Sequence, residues 1–292
     1  MAGLQETRRS DAVASAKARG YAGAKTAWRA IVLVQLVAAT VAVYGAFHPS
    51  ATMGLVLALM TLVVPFSVFK LKQWADNAFR LGEKARRLEL LAEGLGRVPR
   101  PDECAVLVAD APTAVILERA PILPNFSSEL PVGPERLMHL LQQSAFFTRR
   151  LAGLSARYCG GLASVGIGGT VLVLYLAVQE VSAGAPLVFG LAGDQLARVT
   201  ASLLVFFVTG VFAEFSSAFS ALGHTANSVF ERCQQLTKAA EGDPWRQYLV
   251  LADYDTALAA APPIPSTVYA IHRGKIEKAW REHMTGPTVG RS

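Results

Sequence analysis

The sequence is short of charge. Only 17% of its 292 residues are Asp, Glu, Lys or Arg, against about 25% in a soluble domain. The shortage is uneven. Residues 30–69 contain none of the four, and neither do residues 158–179. Cysteine is also scarce. Cys104, Cys159 and Cys233 stand far apart with no CxxC, which leaves no recognisable zinc site and argues against a disulfide framework. Catalytic signatures are missing as well: there is no Walker loop, GxSxG, HExxH or kinase signature. The histidines, His48, His139, His224, His272 and His283, are scattered. Nothing in the chain asks for a metal, a cofactor or an enzymatic activity. No cleavable signal core precedes Trp28, because the first apolar run is too long and follows a long polar segment. The formal net charge of +6 is modest for a nucleic-acid binder of this size.

What the chain has instead is apolar length. Its residues are 52% hydrophobic and the mean hydropathy is +0.34. Residues 30–47 and 51–69 are each long enough to cross a bilayer as a helix, which takes roughly 17–25 residues. Only His48-Pro49-Ser50 separates them. Pro49 lacks a backbone donor, so the helix breaks there and the two runs form a hairpin. Lipid offers no partner to backbone N–H and C=O, so helix is the expected form. A second hairpin is expected over residues 158–222. Its first span is residues 158–179. Its second runs from Val199 to about Leu222, with residues 186–198 as an outer re-entrant or interfacial loop.

The rest is polar and helical in pattern. Residues 1–29 are basic, with Ser10 or Asp11 as candidate helix cap. Trp28 falls where an interfacial indole is favoured. Leu71, Trp74, Ala78, Leu81, Ala85 and Leu88 recur at helical spacing, so the second span continues into solvent as an amphipathic helix. Gly94, Gly96, Pro99 and Pro101 end it. Residues 104–117 read as a hairpin or as two short helices. Residues 121–134 hold four prolines and read as an extended loop. A helix resumes at Glu135. Past Gly223 come further helices, interrupted at Gly242-Asp243-Pro244, with Asp243 as cap, and at Pro262–Pro265. Ser266 is positioned to cap the last. Disorder is expected from Gly286 on.

These pieces make an all-α integral membrane protein. Four transmembrane helices in two hairpins (30–69 and 158–222) join three polar tracts (1–29, 70–157 and 223–292). Those tracts carry 6, 13 and 8 of the basic residues, leaving only Arg198 for the other side. The positive-inside rule therefore places both termini and the middle tract in the cytoplasm, packed as a helical domain under the membrane.

Three constellations stand out. Gly160, Ser164 and Gly168 lie four apart, a stripe that lets a helix approach closely, either as a seam inside one subunit or as a contact between subunits. Glu214 lies inside the fourth span or at its cytoplasmic edge. Inside, an ionised carboxylate needs a partner or a watery path. Arg149, Arg150 and Arg157, with Tyr158, sit just before the third span. They read as a positive collar at lipid headgroups, or as forks and an aromatic face for phosphate and base.

Short motifs lie in a particular order. Tyr21-Ala22-Gly23-Ala24-Lys25 precedes the first span. Gln142-Gln143-Ser144 leads along a helix to Arg157-Tyr158 at the third. Pro265-Ser266-Thr267-Val268-Tyr269, followed by Arg273 and Glu277, lies near the C-terminus. In this order of parts the chain resembles the SMODS-associated four-transmembrane effectors of bacterial cyclic-oligonucleotide antiphage systems. The resemblance implies an inner-membrane protein whose cytosolic part binds a cyclic di- or trinucleotide made by a partner nucleotidyltransferase. Binding would rearrange or cluster the membrane part as a homo-oligomer and breach the lipid bilayer, an abortive infection. It adds Tyr269 and Arg273 to the candidate ligand contacts. The alternative is a small channel or transporter without nucleotide input.

Overall fold

A computed structural model describes residues 2–48, 50–110, 128–182, 193–238 and 244–285. Among these the chain is all-helical, with no strand. The helices are α1 (Ala2–Phe47), α2 (Ala51–Leu95), α3 (Pro101–Ala109), α4 (Pro134–Ser182), α5 (Gly193–Lys238), α6 (Pro244–Ala260) and α7 (Ser266–Thr285). Four of them are unusually long. At 1.5 Å per residue, the 46 residues of α1 extend about 69 Å, more than twice a bilayer's hydrocarbon core of about 30 Å.

Among the described residues two stretches are long and apolar enough to cross a membrane, Arg9–Gly45 and Thr52–Leu95. Their most apolar windows have mean hydropathy 1.8 and 2.2, yet only 33% and 22% of those windows is buried. The core helix of a soluble protein would hide most of such a surface. These two helices expose it, which points to membrane association.

The helix ends follow from local chemistry. Ser50 Oγ accepts from Met53 N at 3.1 Å, capping α2. Pro65 lies inside α2, which runs on through it. Gly96, with φ +66°, takes the left-handed conformation that closes α2. Pro101 opens α3, where its missing N–H has no bond to lose. Glu103 reaches back to the Arg100 backbone N–H at 2.9 Å, half of a capping box.

Two expectations are corrected and an open one is decided in part. Helix α1 does not start at Ser10 or Asp11. It is helical from Ala2, because good helix formers such as Leu4, Gln5 and Glu6 carry the turn N-terminal to those residues. Residues 193–198 are not loop but the first turns of α5, so Gly193 and Asp194 are helical despite their low propensity. Of the two forms open to residues 104–117, the first half is helix, α3, burying Cys104 and Leu107. Its second half, the proline loop up to residue 127, the expected cap Asp243 and the residues from Gly286 lie outside the described residues.

The chain divides into two compact units. Unit 1 gathers Met1–Lys25, Ala75–Ser155 and Ala218–Ser292; unit 2 comprises Thr26–Trp74 and Ala156–Ser217. In unit 1 the main core joins α2, α4, α5, α6 and α7 through Leu90, Leu141, Phe146, Val229, Tyr254 and Trp280. A smaller core sets Val13 and Ala16 of α1 against Leu81 and Ala85 of α2 and Cys104 and Leu107 of α3. Helices α1 and α2 touch where glycine meets glycine. A Cβ on Gly20 would stand 2.5 Å from Gly82 N and 2.8 Å from Ala78 O, so only glycine fits.

In unit 2 the packing is finer-grained. Trp28 meets Phe215 edge-on at 4.2 Å between ring centroids. Ser216 Oγ donates to the Ala156 carbonyl at 2.9 Å. A Cβ on Gly160 would meet that same Oγ at 3.1 Å, and one on Gly166 would run into the Thr209 side chain. The small-residue seam on α4 therefore follows Gly160, Ala163 and Gly166. Of the anticipated stripe only Gly160 meets a neighbour. Ser164 is exposed, donating to the Gly160 carbonyl at 2.9 Å, and the space beside Gly168 is open. The reason is that i±3 and i±4 rows incline oppositely across a helix, and the approach of α5 selects the i±3 row.

Candidate ligand cavity

Unit 1 forms a half-open cavity of about 1100 Å³. Each helix that lines it presents one face. On α2, Phe79, Glu83 and Arg86 stand four and three residues apart. On α4, His139, Gln143, Phe147 and Leu151 repeat every four, with Ser144 and Thr148 one position on. Helix α1 contributes Tyr21 and Lys25, α6 contributes Tyr254 and Leu258, and α7 contributes Tyr269, Arg273, Glu277 and Trp280. The Pro262-Pro263-Ile264 connector completes the wall.

A polar network ties four of these helices together. Tyr21 OH donates to Glu83 Oε1 at 2.6 Å. Arg86 Nε donates to Glu83 Oε2 at 2.7 Å, and its Nη1 to Ser144 Oγ at 3.3 Å. Nη2 of the same guanidinium reaches Asp255 Oδ1 at 3.4 Å. Tyr254 OH shares hydrogen bonds with Ser144 Oγ at 2.9 Å and Thr148 Oγ1 at 2.7 Å. The Arg86 guanidinium also lies over the Tyr254 ring, 5.3 Å from its centroid. Arg87 Nε stands 3.1 Å from Asp255 Oδ2, but that oxygen makes no well-aimed hydrogen bond. The contact is an ion pair without the directional component.

Burial sets the electrostatics. It works against the Arg86 charge, but Glu83, Tyr21 and Tyr254 outweigh it and hold the guanidinium above its ordinary pKa. Burial and the Glu83 charge hold Tyr21 well above the usual phenol range. Tyr254 is raised by burial against the opposing pull of Arg86, Ser144 and Thr148. Asp255 is raised by burial despite Arg86 and Arg87. Burial lowers His139, so its ring is neutral at pH 7. The core thiol of Cys233 is pushed up to about 12 by burial, against Arg232, and is no nucleophile.

The cavity therefore carries both signs of charge. Lys25, Arg86, Arg273 and Arg281 face Glu83, Glu129 and Glu277. Arg86 is engaged by Glu83 and Asp255, and Arg273 Nε by Glu277 at 2.5 Å. Arg273 also lies 5.8 Å from the centroid of the Tyr269 ring. Two side chains on the wall retain unused capacity. Gln143 Oε1 and both ring nitrogens of His139 are buried without a hydrogen-bond partner. Among the described residues no three His, Cys, Asp or Glu side chains group as metal ligands. The chemistry on offer is recognition: aromatic faces, hydrogen bonds and paired charges.

Of the six candidate ligand contacts, Tyr269 and Arg273 line the cavity and four do not. Arg149 donates to Asn227 Oδ1 at 2.8 Å and stacks over Phe230 at 4.1 Å. Arg150 lies over Phe146 at 5.8 Å. Arg157 and Tyr158 are exposed residues of unit 2. Glu214, also in unit 2, is paired with Lys72. Sequence pattern singles out none of Glu83, Arg86 and Tyr254, and His139 stands in it only as one of five scattered histidines. One local signal was available. Tyr254 stands between Asp253 and Asp255 in a helix, an aromatic whose hydroxyl has to find a partner if it is buried.

Comparison with family models, with curated proteins and with solved structures gives no match.

Proposed function

We propose that the chain is a membrane effector of antiphage defence, gated by a cyclic di- or trinucleotide that a partner nucleotidyltransferase supplies. The cavity carries this reading. Its volume of about 1100 Å³ exceeds the roughly 300–1000 Å³ of an ordinary small-ligand pocket. Tyr21, Phe147, Tyr269 and Trp280 offer faces on which bases stack, and Lys25 and Arg281 offer cations toward phosphate.

The same helices couple the cavity to the bilayer. Lys25 lies five residues before the charge-free stretch that starts at residue 30, and α1, α2, α4 and α5 each belong partly to unit 1 and partly to unit 2. In this reading unit 2 forms four spans of the inner membrane with both termini cytoplasmic, as the confinement of 27 of the 28 basic residues to three tracts supports. A four-helix bundle fills its own centre with side chains, so a breach requires several copies. The ligand drives assembly only by binding the breached state more tightly than the resting one.

The test reconstitutes the full chain in dye-loaded liposomes. Dye release that depends on a cyclic di- or trinucleotide, with matching binding by calorimetry, is the expected result. Release that is equal with and without nucleotide indicates the plain channel instead and overturns the gating.

A further inference from the structure

The wall of the cavity holds an acceptor with nothing to accept. Gln143 is 8% exposed, lines the cavity from α4, and its Oε1 has no partner. His139, one turn earlier on the same face, has both ring nitrogens unpartnered. A buried polar atom left unmatched is costly, and neighbouring residues do not remove the cost. Three other polar groups on the wall are engaged, and Glu129 and Arg281 line it as well. Glu83 accepts from Tyr21 and Arg86, Glu277 accepts from Arg273, and Arg86 also donates to Ser144 and Asp255.

We infer that the ligand presents an adenine base to the Gln143–His139 face of α4. This rests on the cyclic-nucleotide reading above and names the base it selects. Adenine's edge runs acceptor, donor, acceptor: N1, the N6 amine, N7. A glutamine amide pairs with two of these at once, accepting from N6–H and donating to a ring nitrogen. His139 adds one donor and one acceptor for the remainder. Guanine is read best by a free guanidinium fork or a free carboxylate. Arg86 with Glu83 and Arg273 with Glu277 are bonded in pairs, and no guanidinium or carboxylate lines the cavity from α4. Trp280 lies 5.9 Å from the His139 ring and supplies a face beside this edge.

The experiment is calorimetry on the detergent-solubilised full chain with 3′,3′-cyclic di-AMP, cyclic tri-AMP, cyclic di-GMP, cyclic di-UMP and cyclic di-IMP. The last replaces the N6 amine by oxygen, so it tests the contact without altering the protein. Adenine-only ligands are expected to bind at least about tenfold tighter than the guanine or uracil ligand of the same ring size, and cyclic di-IMP to lose a similar factor. Gln143→Leu is expected to lose about tenfold to a hundredfold toward cyclic di-AMP and a smaller factor toward cyclic di-IMP, which keeps only the ring-nitrogen contact. Its Oε1 has no bond to lose, so the fold survives, which an unchanged melting temperature checks. Equal binding of cyclic di-AMP and cyclic di-IMP, or tighter binding of the guanine or uracil ligand, overturns the adenine assignment while the nucleotide reading stands. Binding of none of the five overturns both.

Discussion

The two units differ in what accompanies their buried side chains, although the same four long helices contribute to both. Unit 1 buries its large side chains. Phe146, Phe219, Tyr254 and Trp280 are inside, and a charged network sits among them. Unit 2 buries large side chains too, Ile31, Leu57 and Phe215 among them, but joins its helices through small ones. Ala38, Ala42, Gly45, Ala163 and Thr209 fill its seams, while Leu62 at 73% and Val165 at 76% point outward. In water, burying large apolar groups drives packing. In lipid that drive between helices is absent, and close backbone approach through small residues takes its place. The outward apolar side chains of α1 and α2 fit a membrane association of those two helices.

The comparison is broken most directly at Arg86. Arg86→Ala leaves Glu83 and Asp255 in a buried setting without their shared cation. Stability is expected to fall by about 3–5 kcal/mol, read as a large drop in the melting temperature of the detergent-solubilised protein. A drop equivalent to less than about 1 kcal/mol would mean that unit 1 does not depend on its network.

The corresponding break in unit 2 is Gly166→Leu, which drives a side chain into Thr209. Overpacking of this kind costs about 1–3 kcal/mol. Gly168→Leu, placed in open space, is expected to leave the melting temperature unchanged. Equal effects at the two positions would show that the seam does not follow the i±3 row.

His139 sharpens the picture of unit 1 by pH. Its folded pKa lies below the ordinary imidazole value because of burial. The unfolded chain therefore binds the proton more readily, so the stabilisation is full above the ordinary pKa of about 6.5 and is lost as pH falls through the lower folded value. Unfolding followed from pH 7.5 to 5 should show a decline that is shallower in His139→Gln. An unchanged slope would remove His139 as its source. The smallest effect is expected at Ser164, exposed and bonded only to its own helix. Ser164→Ala should shift stability by no more than about 0.5 kcal/mol.

The helical class of the chain is readable from residue spacing alone, since a period of 3.6 is a local property. The break between α1 and α2 around Pro49, the close of α2 near Gly96 and the start of α6 at Pro244 follow from single residues with special backbone needs. The candidate site is another matter. Tyr269 and Arg273 were named from a short motif, and Arg149 and Arg150 from their charge. Only contacts separate the first two, on the cavity wall, from the second two, stacked on Phe146 and Phe230. The same limit applies to Gly160, Ser164 and Gly168, because spacing on one helix does not say from which side the next one comes.

By itself the sequence determined that this protein is built of long helices, that some of their length is apolar enough for a membrane, and that its basic residues gather in three tracts. Each of these is a property of neighbours along the chain. The tertiary structure alone decided that Tyr21, Arg86, Gln143, Tyr254 and Tyr269 meet around one cavity. They lie on five different helices, as many as 248 positions apart. Their meeting depends on which helix faces touch, and that is set by packing across the core.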